Sequence, residues 1–188
     1  MTDRSEQFPD LPPYTYVPGY APHPASDSEG HMRDFSLPST WTLKNHFLWG
    51  VRLFRNGYYW EAHEAWEHLW LELGRTSEEA LTVKGLIKLA AAAVKCREGN
   101  SVGAQRHATR AAELLSSPSD SELFRGLSLA DACESAMLFA ASPPVDHTPP
   151  SDRPVRLPGL RFERQGSEGQ LSEKPAGLSR DDACDKPE

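Results

Sequence analysis

The chain has 188 residues, of which 38% are hydrophobic and 25% are charged, and its formal net charge is −7 at pH 7. This length suits one ordinary domain, and an acidic chain without a basic stripe argues against nucleic acid as a partner. Three widely spaced cysteines without a C-x-x-C pair argue against a disulfide framework and against a cysteine-rich zinc site. An acidic N-terminus and the lack of a long apolar run predict a soluble cytoplasmic protein with no membrane partner.

Residues 1–38 are predicted to form an extended arm. Prolines recur through the run FPDLPPYTYVPGYAPHP, and proline at this density is incompatible with a helix or a central strand. The run also contains three tyrosines, Tyr14, Tyr16 and Tyr20, which are unusual in a solvated tail. We therefore expect the arm to pack on the surface of the domain that follows.

Residues 39–141 are predicted to form an all-α domain. Their 11 basic and 12 acidic residues nearly balance, and their apolar residues recur with the period of a helix. Capping residues and glycines predict five helices, with approximate bounds 41–56, 58–73, 77–99, 101–115 and 129–141. The short glycine-centred connections predict a compact bundle of four to five antiparallel helices.

Residues 142–188 are predicted to be a mostly disordered tail. The segment is rich in Pro, Gly, Ser and charged residues and contains few large apolar side chains. Burial of so little apolar surface does not offset the entropy lost when a chain becomes ordered.

The second predicted helix contains the run YYWEAHEAWEHLW, which is one residue away from the zinc-protease signature H-E-x-x-H. At 100° per residue, His63 joins the predicted buried face with Tyr59, Ala62, Trp66, Leu69, Trp70 and Leu73. Glu61, Glu64, His68 and Glu72 fall on the opposite side, and Glu67 borders the buried face. His63 and His68 therefore cannot share a metal ion, whereas His63 and Glu67, one turn apart, can.

Two further helices carry polar residues that are unusual for their position. His107 falls on the apolar face of the fourth helix, and Lys84 and Lys88 lie in a narrow arc of an otherwise apolar third helix. Together these residues predict a polar pocket between helices two, three and four, lined by His63, Glu67, Trp70, Lys84, Lys88 and His107. Within it, His63, Glu67 and His107 are the candidate ligands of a divalent metal, and His63 and Glu67 are the candidate catalytic pair. His23 and His31 in the arm are further candidate ligands if the arm folds over the bundle.

The runs RNGYYWEAHEAWEHLW and VKGLIKLAAAAVKCREGNSVGA, followed by a histidine, resemble a bacterial family known as domain of unknown function number 309. The similarity covers roughly residues 43–139, and its pattern is G-x-Y-x-E-A-H-E-x-x-E-x-x-W with G-L-I-x-x-A-A downstream. The resemblance implies an all-helical fold, and it makes His63, Glu64, Glu67 and Trp70 the motif positions here. It implies no reaction, because the biochemical role of the family is not established.

Two functions are compatible with these patterns. The first is an uncharacterised protein that binds a metal or small ligand in the predicted pocket. The second is a non-enzymatic bundle that binds another protein or forms a homo-oligomer, with core histidines, core tryptophans and a solvated lysine face as purely structural features. The sequence does not decide between them and so leaves open whether the protein is an enzyme.

Overall fold

The computed structural model of the protein describes residues 8–33, 35–145 and 151–162. Within these residues the chain forms five α-helices, one short 3₁₀ helix and no β-strand, so the predicted all-α class is confirmed. The α-helices are α1 (Leu43–Arg55), α2 (Tyr59–Glu72), α3 (Glu78–Arg97), α4 (Ser101–Leu115) and α5 (Leu129–Ala141), and the 3₁₀ helix is Glu122–Phe124. None of the described helices is both long and apolar enough to cross a membrane.

Local capping interactions fix where the helices begin. The side chains of Ser77, Asn100 and Ser128 each accept a backbone hydrogen bond from the first turn of α3, α4 and α5, as the sequence predicts. α1 begins two residues later than predicted, at Leu43. Its cap is Thr42, which forms a reciprocal capping box with Asn45 and so outcompetes the earlier hydroxyl residues.

Consecutive helices pack against each other from α1 to α5, and the core lies between them. The contact between α1 and α2 is close because Gly50 faces the ring of Trp66, whose indole N–H donates a hydrogen bond of 3.2 Å to the Phe47 carbonyl oxygen. A Cβ atom at Gly50 would lie 2.2 Å from that indole nitrogen. Glycine therefore sets the separation of the two helices that carry the candidate site.

Residues 151–162 pack on the bundle, although they lie in the segment predicted to be mostly disordered. Leu157 and Phe162 are buried in the core cluster. The Leu157 N–H donates a hydrogen bond of 2.8 Å to the hydroxyl of Tyr59, and the guanidinium of Arg97 donates to two carbonyl oxygens of the segment. The prediction does not hold for this short part of the tail, because the burial of Leu157 and Phe162 is enough to anchor it. Residues 163–188 lie outside the described residues.

The described part of the arm lies against α1 and α2. Thr15 and Val17 are buried, and the hydroxyl of Tyr58 donates a hydrogen bond of 2.9 Å to the Pro12 carbonyl oxygen. The ring of Tyr16 makes an edge contact with Trp60 at a centroid distance of 5.2 Å. Tyr20, by contrast, is exposed. The arm thus covers the side of α2 that faces away from the bundle.

Candidate functional site

The arm buries one acidic side chain of α2 almost completely. Glu61 is 2% exposed, which corrects the prediction that it faces outward with Glu64, His68 and Glu72. Its two oxygens accept hydrogen bonds from the arm, one of 2.9 Å from the Thr15 hydroxyl and one of 2.8 Å from the Tyr16 N–H. Glu61 does point away from the other helices, but the arm occupies the space where water was expected.

A histidine of the arm lies beside this carboxyl group. The side chain of His31 is 5% exposed, and its Nε2 atom is 3.5 Å from Oε1 of Glu61. That distance is longer than a normal hydrogen bond, and neither ring nitrogen of His31 has a hydrogen-bond partner among the described residues. The ring instead packs edge-on against Tyr14 at a centroid distance of 4.4 Å. A buried and unpaired imidazole therefore faces a buried carboxyl.

Burial favours the neutral form of both groups. It raises the pKa of Glu61 from 4.5 to about 7, and the hydrogen bonds from its own backbone, Tyr16 and Thr15 offset only part of this effect. Burial also lowers the pKa of His31 below its usual 6.5. Glu61 consequently holds its proton to a higher pH than an ordinary carboxyl group, which brings its pKa closer to the pH at which a general acid or base works best.

The pair lies at the wall of a cavity between α1, α2 and the arm. The cavity has a volume of about 750 Å³, within the range of small-molecule sites. Its polar lining consists of Asp10, His31, Ser39, His46, Glu61, Glu64, Glu67, His68 and Glu72. The apolar lining includes Phe35, Trp41, Trp49, Leu53, Ala65 and Leu71. We refer to this space as the arm-covered cavity.

The α1 side of the arm-covered cavity is aromatic and contains a second histidine. Trp41 and Trp49 make an edge contact at a centroid distance of 6.3 Å, and Phe35 stacks on Trp49 at 6.4 Å. His46 packs edge-on against Trp41, and its buried Nδ1 atom has no hydrogen-bond partner within the described parts of the chain. Burial lowers the pKa of His46 as well. The cavity thus has an acidic wall on α2 and an aromatic wall formed by Phe35 of the arm, by Trp41, and by Trp49 of α1.

The predicted pair His63 and Glu67 belongs to a separate cluster on α2. Ligating atoms of His63, Glu64 and Glu67 all lie within 4.8 Å of one another, and among the described residues this is the one group that could hold a metal ion. His63 Nδ1 is 3.1 Å from Oε1 of Glu64. Glu64 and Glu67 also line the arm-covered cavity, so the cluster lies at its edge.

The other residues of the predicted pocket lie near this cluster but do not line the arm-covered cavity. Burial lowers the pKa of His107, and the charges of Lys88, Arg106, Lys95 and His63 lower it further, so these groups are close enough to interact. Lys84 lies over the ring of Trp70, with Nζ 5.3 Å from its centroid. The lysine is therefore held against an aromatic face.

Two further histidines of the described residues, His23 and His68, pack against neighbouring side chains. His23 accepts hydrogen bonds at Nδ1 from the N–H groups of Ala25 and Ser26, and its ring packs against Tyr16 and Trp60. His68 lies 3.4 Å from Glu72 on the surface of α2, and its ring is 5.8 Å from that of His46. His31 is thus the arm histidine that reaches the site.

Sequence reasoning missed Glu61 and His46 as site residues. A signal for Glu61 was present, because it is the first glutamate of the pattern G-x-Y-x-E-A-H-E-x-x-E-x-x-W. His46 carried no comparable signal in the sequence. Glu61 becomes a site residue only through long-range contacts with the arm, such as that with His31, 30 positions away.

These features define an all-α protein with a polar cavity beneath an N-terminal arm. Residues 47–107 match the family model described as "Domain of unknown function (DUF309)", which confirms the family resemblance over this range. No curated protein matches the chain. The matched range contains Glu61, His63, Glu64 and Glu67 but not His31. The arm-covered cavity therefore combines residues of the family region with residues of the arm.

Proposed function

We propose that the protein binds a small ligand in the arm-covered cavity, with Glu61 and His31 as its buried polar contacts. The observation that carries this proposal is the meeting of a buried carboxyl group and an unpaired buried imidazole at the wall of a 750 Å³ cavity. A buried polar atom without a hydrogen bond is unfavourable by about 1–3 kcal/mol. A ligand that bonded to His31 would remove this cost.

The contacts around Glu61 also support a ligand that exchanges a proton. A carboxyl group with a pKa near 7 can act as a general acid or base at physiological pH. His31 is the neighbouring group that would receive or supply the proton, since its Nε2 atom is 3.5 Å from the carboxyl oxygen. A cavity whose wall carries a carboxyl group with a raised pKa next to a histidine is typical of a catalytic or binding site.

A thermal-shift screen of metabolites and metals on the full chain tests this proposal. Ala65 lines the cavity, so Ala65→Phe is expected to fill part of it and to abolish the shifts that authentic ligands produce. Thr109→Phe adds similar bulk at an exposed position of α4 that does not line the cavity, and it is the matched control. Ligand-induced shifts that survive Ala65→Phe unchanged would contradict the proposal.

A second candidate function is divalent metal binding by His63, Glu64 and Glu67. It is supported by the 4.8 Å clustering of one imidazole nitrogen and two carboxylate oxygens, a donor set that suits zinc, manganese or iron. The residues fit an ion with open coordination positions for water or substrate, and such an ion would act there as a Lewis acid. Lys88 and His107 would lie nearby, as the sequence predicts.

Calorimetric titration of zinc and manganese into untagged protein tests the metal site. His63→Gln is expected to weaken binding by tenfold or more, because ligand-set residues typically change metal affinity at least that much. His68→Gln removes a histidine five residues further along α2 and outside the cluster, so it should bind the metal like the wild-type protein. Equal affinities of the two variants would contradict the assignment.

The alternative is an interaction or self-associating bundle in which the polar residues are structural. On this hypothesis, substitution of His63 or Glu61 lowers the unfolding free energy but no small molecule or metal stabilises the protein. Light scattering coupled to size-exclusion chromatography would show an oligomer or a complex. Ligand-induced stabilisation that disappears in Glu61→Gln while the fold is intact would favour the cavity over this alternative.

The proposed setting is the cytoplasm. Three cysteines far apart in the sequence are typical of a reducing compartment, and Cys96 is buried as a free thiol. Fractionation of cells that express the full chain tests this setting, and recovery in a secreted fraction would contradict it.

A further inference from the structure

The charge of the cavity lining indicates which ligands it favours. The lining includes five carboxyl groups, from Asp10, Glu61, Glu64, Glu67 and Glu72, and three imidazoles, from His31, His46 and His68. Among the described residues that line it there is no lysine and no arginine. A cleft lined by charges of one sign attracts ligands of the opposite sign and repels those of the same sign. An anionic ligand is thus disfavoured, and a cation is favoured.

The opposite wall supplies a second kind of recognition for a cation. Phe35, Trp41 and Trp49 lie together on this wall, with centroid distances of 6.3 Å and 6.4 Å between neighbouring rings. Aromatic faces attract organic cations through their negative quadrupole, and clusters of such rings bind quaternary ammonium groups. The ring of Trp49 already engages a cation of the protein itself, since the guanidinium carbon of Arg52 lies 5.7 Å from its centroid.

The dimensions of the cavity distinguish an organic cation from a bare metal ion. A metal ion needs several ligand atoms that converge within a few ångströms, and in the described chain only His63, Glu64 and Glu67 meet that condition. Glu61, His31 and His46 do not join the cluster, although each faces the cavity. A volume of about 750 Å³ with an apolar aromatic wall has room for a molecule with its own carbon skeleton.

We propose that the occupant of the arm-covered cavity is a small organic cation, an alkylated or primary amine, whose charge lies between the carboxyl groups of α2 and the aromatic wall formed by Phe35, Trp41 and Trp49. This inference rests on the proposed function, since it requires that the cavity binds a ligand. In this arrangement Glu61 and Glu64 neutralise the ammonium charge, and Phe35, Trp41 and Trp49 contact its alkyl groups. His31 is left to hydrogen-bond a polar substituent of the ligand.

Three probes of nearly equal shape test the proposal: choline, its neutral isostere 3,3-dimethylbutan-1-ol, and the anion 3,3-dimethylbutanoate. Each is titrated into the full chain by calorimetry at pH 7.5. We expect choline to bind at least about tenfold more tightly than the neutral alcohol, since a desolvated cation–π contact contributes on the order of that ratio. The anion is expected to bind most weakly.

The variants show where the selectivity arises. Glu61→Gln and Trp41→Leu are each expected to reduce the preference for choline over the alcohol by about threefold or more. Glu64→Gln, which changes a partly exposed side chain, provides a second test if either of those variants is poorly folded. Glu134→Gln removes the same charge from an exposed position of α5 and should leave the preference unchanged.

The possible results separate the two proposals. If the neutral alcohol binds as tightly as choline, or the anion binds more tightly, the cation assignment is wrong while ligand binding in the cavity stands. If all three probes fail to bind at 100 mM, the cation assignment is contradicted and the proposed function loses its support as well. If choline is preferred but equally so in Glu61→Gln and Glu64→Gln, the cation is bound outside this cavity.

Discussion

Replacement of Glu61 by glutamine should change how the stability of the protein depends on pH. Glutamine has the shape of the protonated glutamic acid, and it can keep the hydrogen bonds with Thr15 and Tyr16 because its oxygen accepts from Tyr16 and its amide group can bond the Thr15 hydroxyl. The variant therefore represents the neutral form of Glu61 at every pH. Any difference from the wild-type protein that varies with pH reports the ionisation of this one carboxyl group.

The sign and size of the effect follow from the pKa of Glu61. Burial raises that pKa from 4.5 to about 7, so the folded state binds the proton more tightly than the unfolded state. This contribution to stability is fully present below pH 4.5, and it is lost as the pH rises through 7. An increase from 4.5 to about 7 corresponds to about 3 kcal/mol. Glu61→Gln should therefore gain up to about 3 kcal/mol over wild type between pH 4.5 and pH 8.

Urea unfolding followed by tryptophan fluorescence at pH 4.5, 6, 7 and 8 measures this difference. Glu72→Gln is the control on the same helix, because the Glu72 side chain is 39% exposed and its charge is screened by solvent. If the difference in unfolding free energy between Glu61→Gln and wild type stays constant within about 0.5 kcal/mol across this range, the raised pKa is refuted. If the variant instead loses stability relative to wild type as the pH rises, the pKa of Glu61 is lowered rather than raised.

Three further predictions concern the packing around the site. Gly50→Ala should lower the unfolding free energy by about 1–3 kcal/mol, because a Cβ there would lie 2.2 Å from the Trp66 indole nitrogen; an unchanged urea midpoint would contradict this packing. Tyr59→Phe leaves the Leu157 N–H without its acceptor and should cost about 1–3 kcal/mol. It should also loosen the segment around Arg156, whose side chain is already exposed, so that trypsin cleaves there; wild-type resistance to cleavage would contradict it. Burial raises the pKa of Cys96 to about 12, so mass spectrometry should find this thiol unmodified by iodoacetamide at pH 8 until urea unfolds the chain; rapid modification of the native protein would show that Cys96 is accessible.

Helix positions were predictable because they depend on local interactions. Each of the caps Ser77, Asn100 and Ser128 accepts a hydrogen bond from the backbone N–H three residues further along the chain. Such short-range contacts can be predicted directly from the sequence. The spacing of His63 and Glu67 also follows from one helical turn. Their ligating atoms do lie within one cluster, to which the structure adds Glu64.

The burial of Glu61 was not predictable from periodicity. The helical wheel assigns a residue to the inner or outer side of the bundle, and it assigned Glu61 to the outer side correctly. The wheel cannot account for a non-helical segment from elsewhere in the chain that packs on the helix. Thr15, which hydrogen-bonds to Glu61, lies 46 positions before it. The proline and tyrosine content of the arm indicated that it packs on the domain, but gave no register for that packing.

The packing of residues 151–162 was missed for a related reason. Average composition predicts disorder when apolar residues are sparse, yet single residues decide whether a short segment is anchored. Leu157 and Phe162 are buried in the core cluster. Arg97 of α3 donates hydrogen bonds to the carbonyl oxygens of Ser151 and Arg153. Such an anchor depends on the shape of the finished bundle.

The central claim is that ligands bind in the arm-covered cavity, and NMR of labelled full chain during titration with choline and with 3,3-dimethylbutan-1-ol tests it most directly. The account predicts that a bound probe shifts the imidazole signals of His31 and His46 and the indole signals of Trp41 and Trp49, which line the cavity. The imidazole of His107, which lies outside it, should be unaffected. Shifts confined to His63 and His107 would place the ligand between α2, α3 and α4 and would contradict the claim.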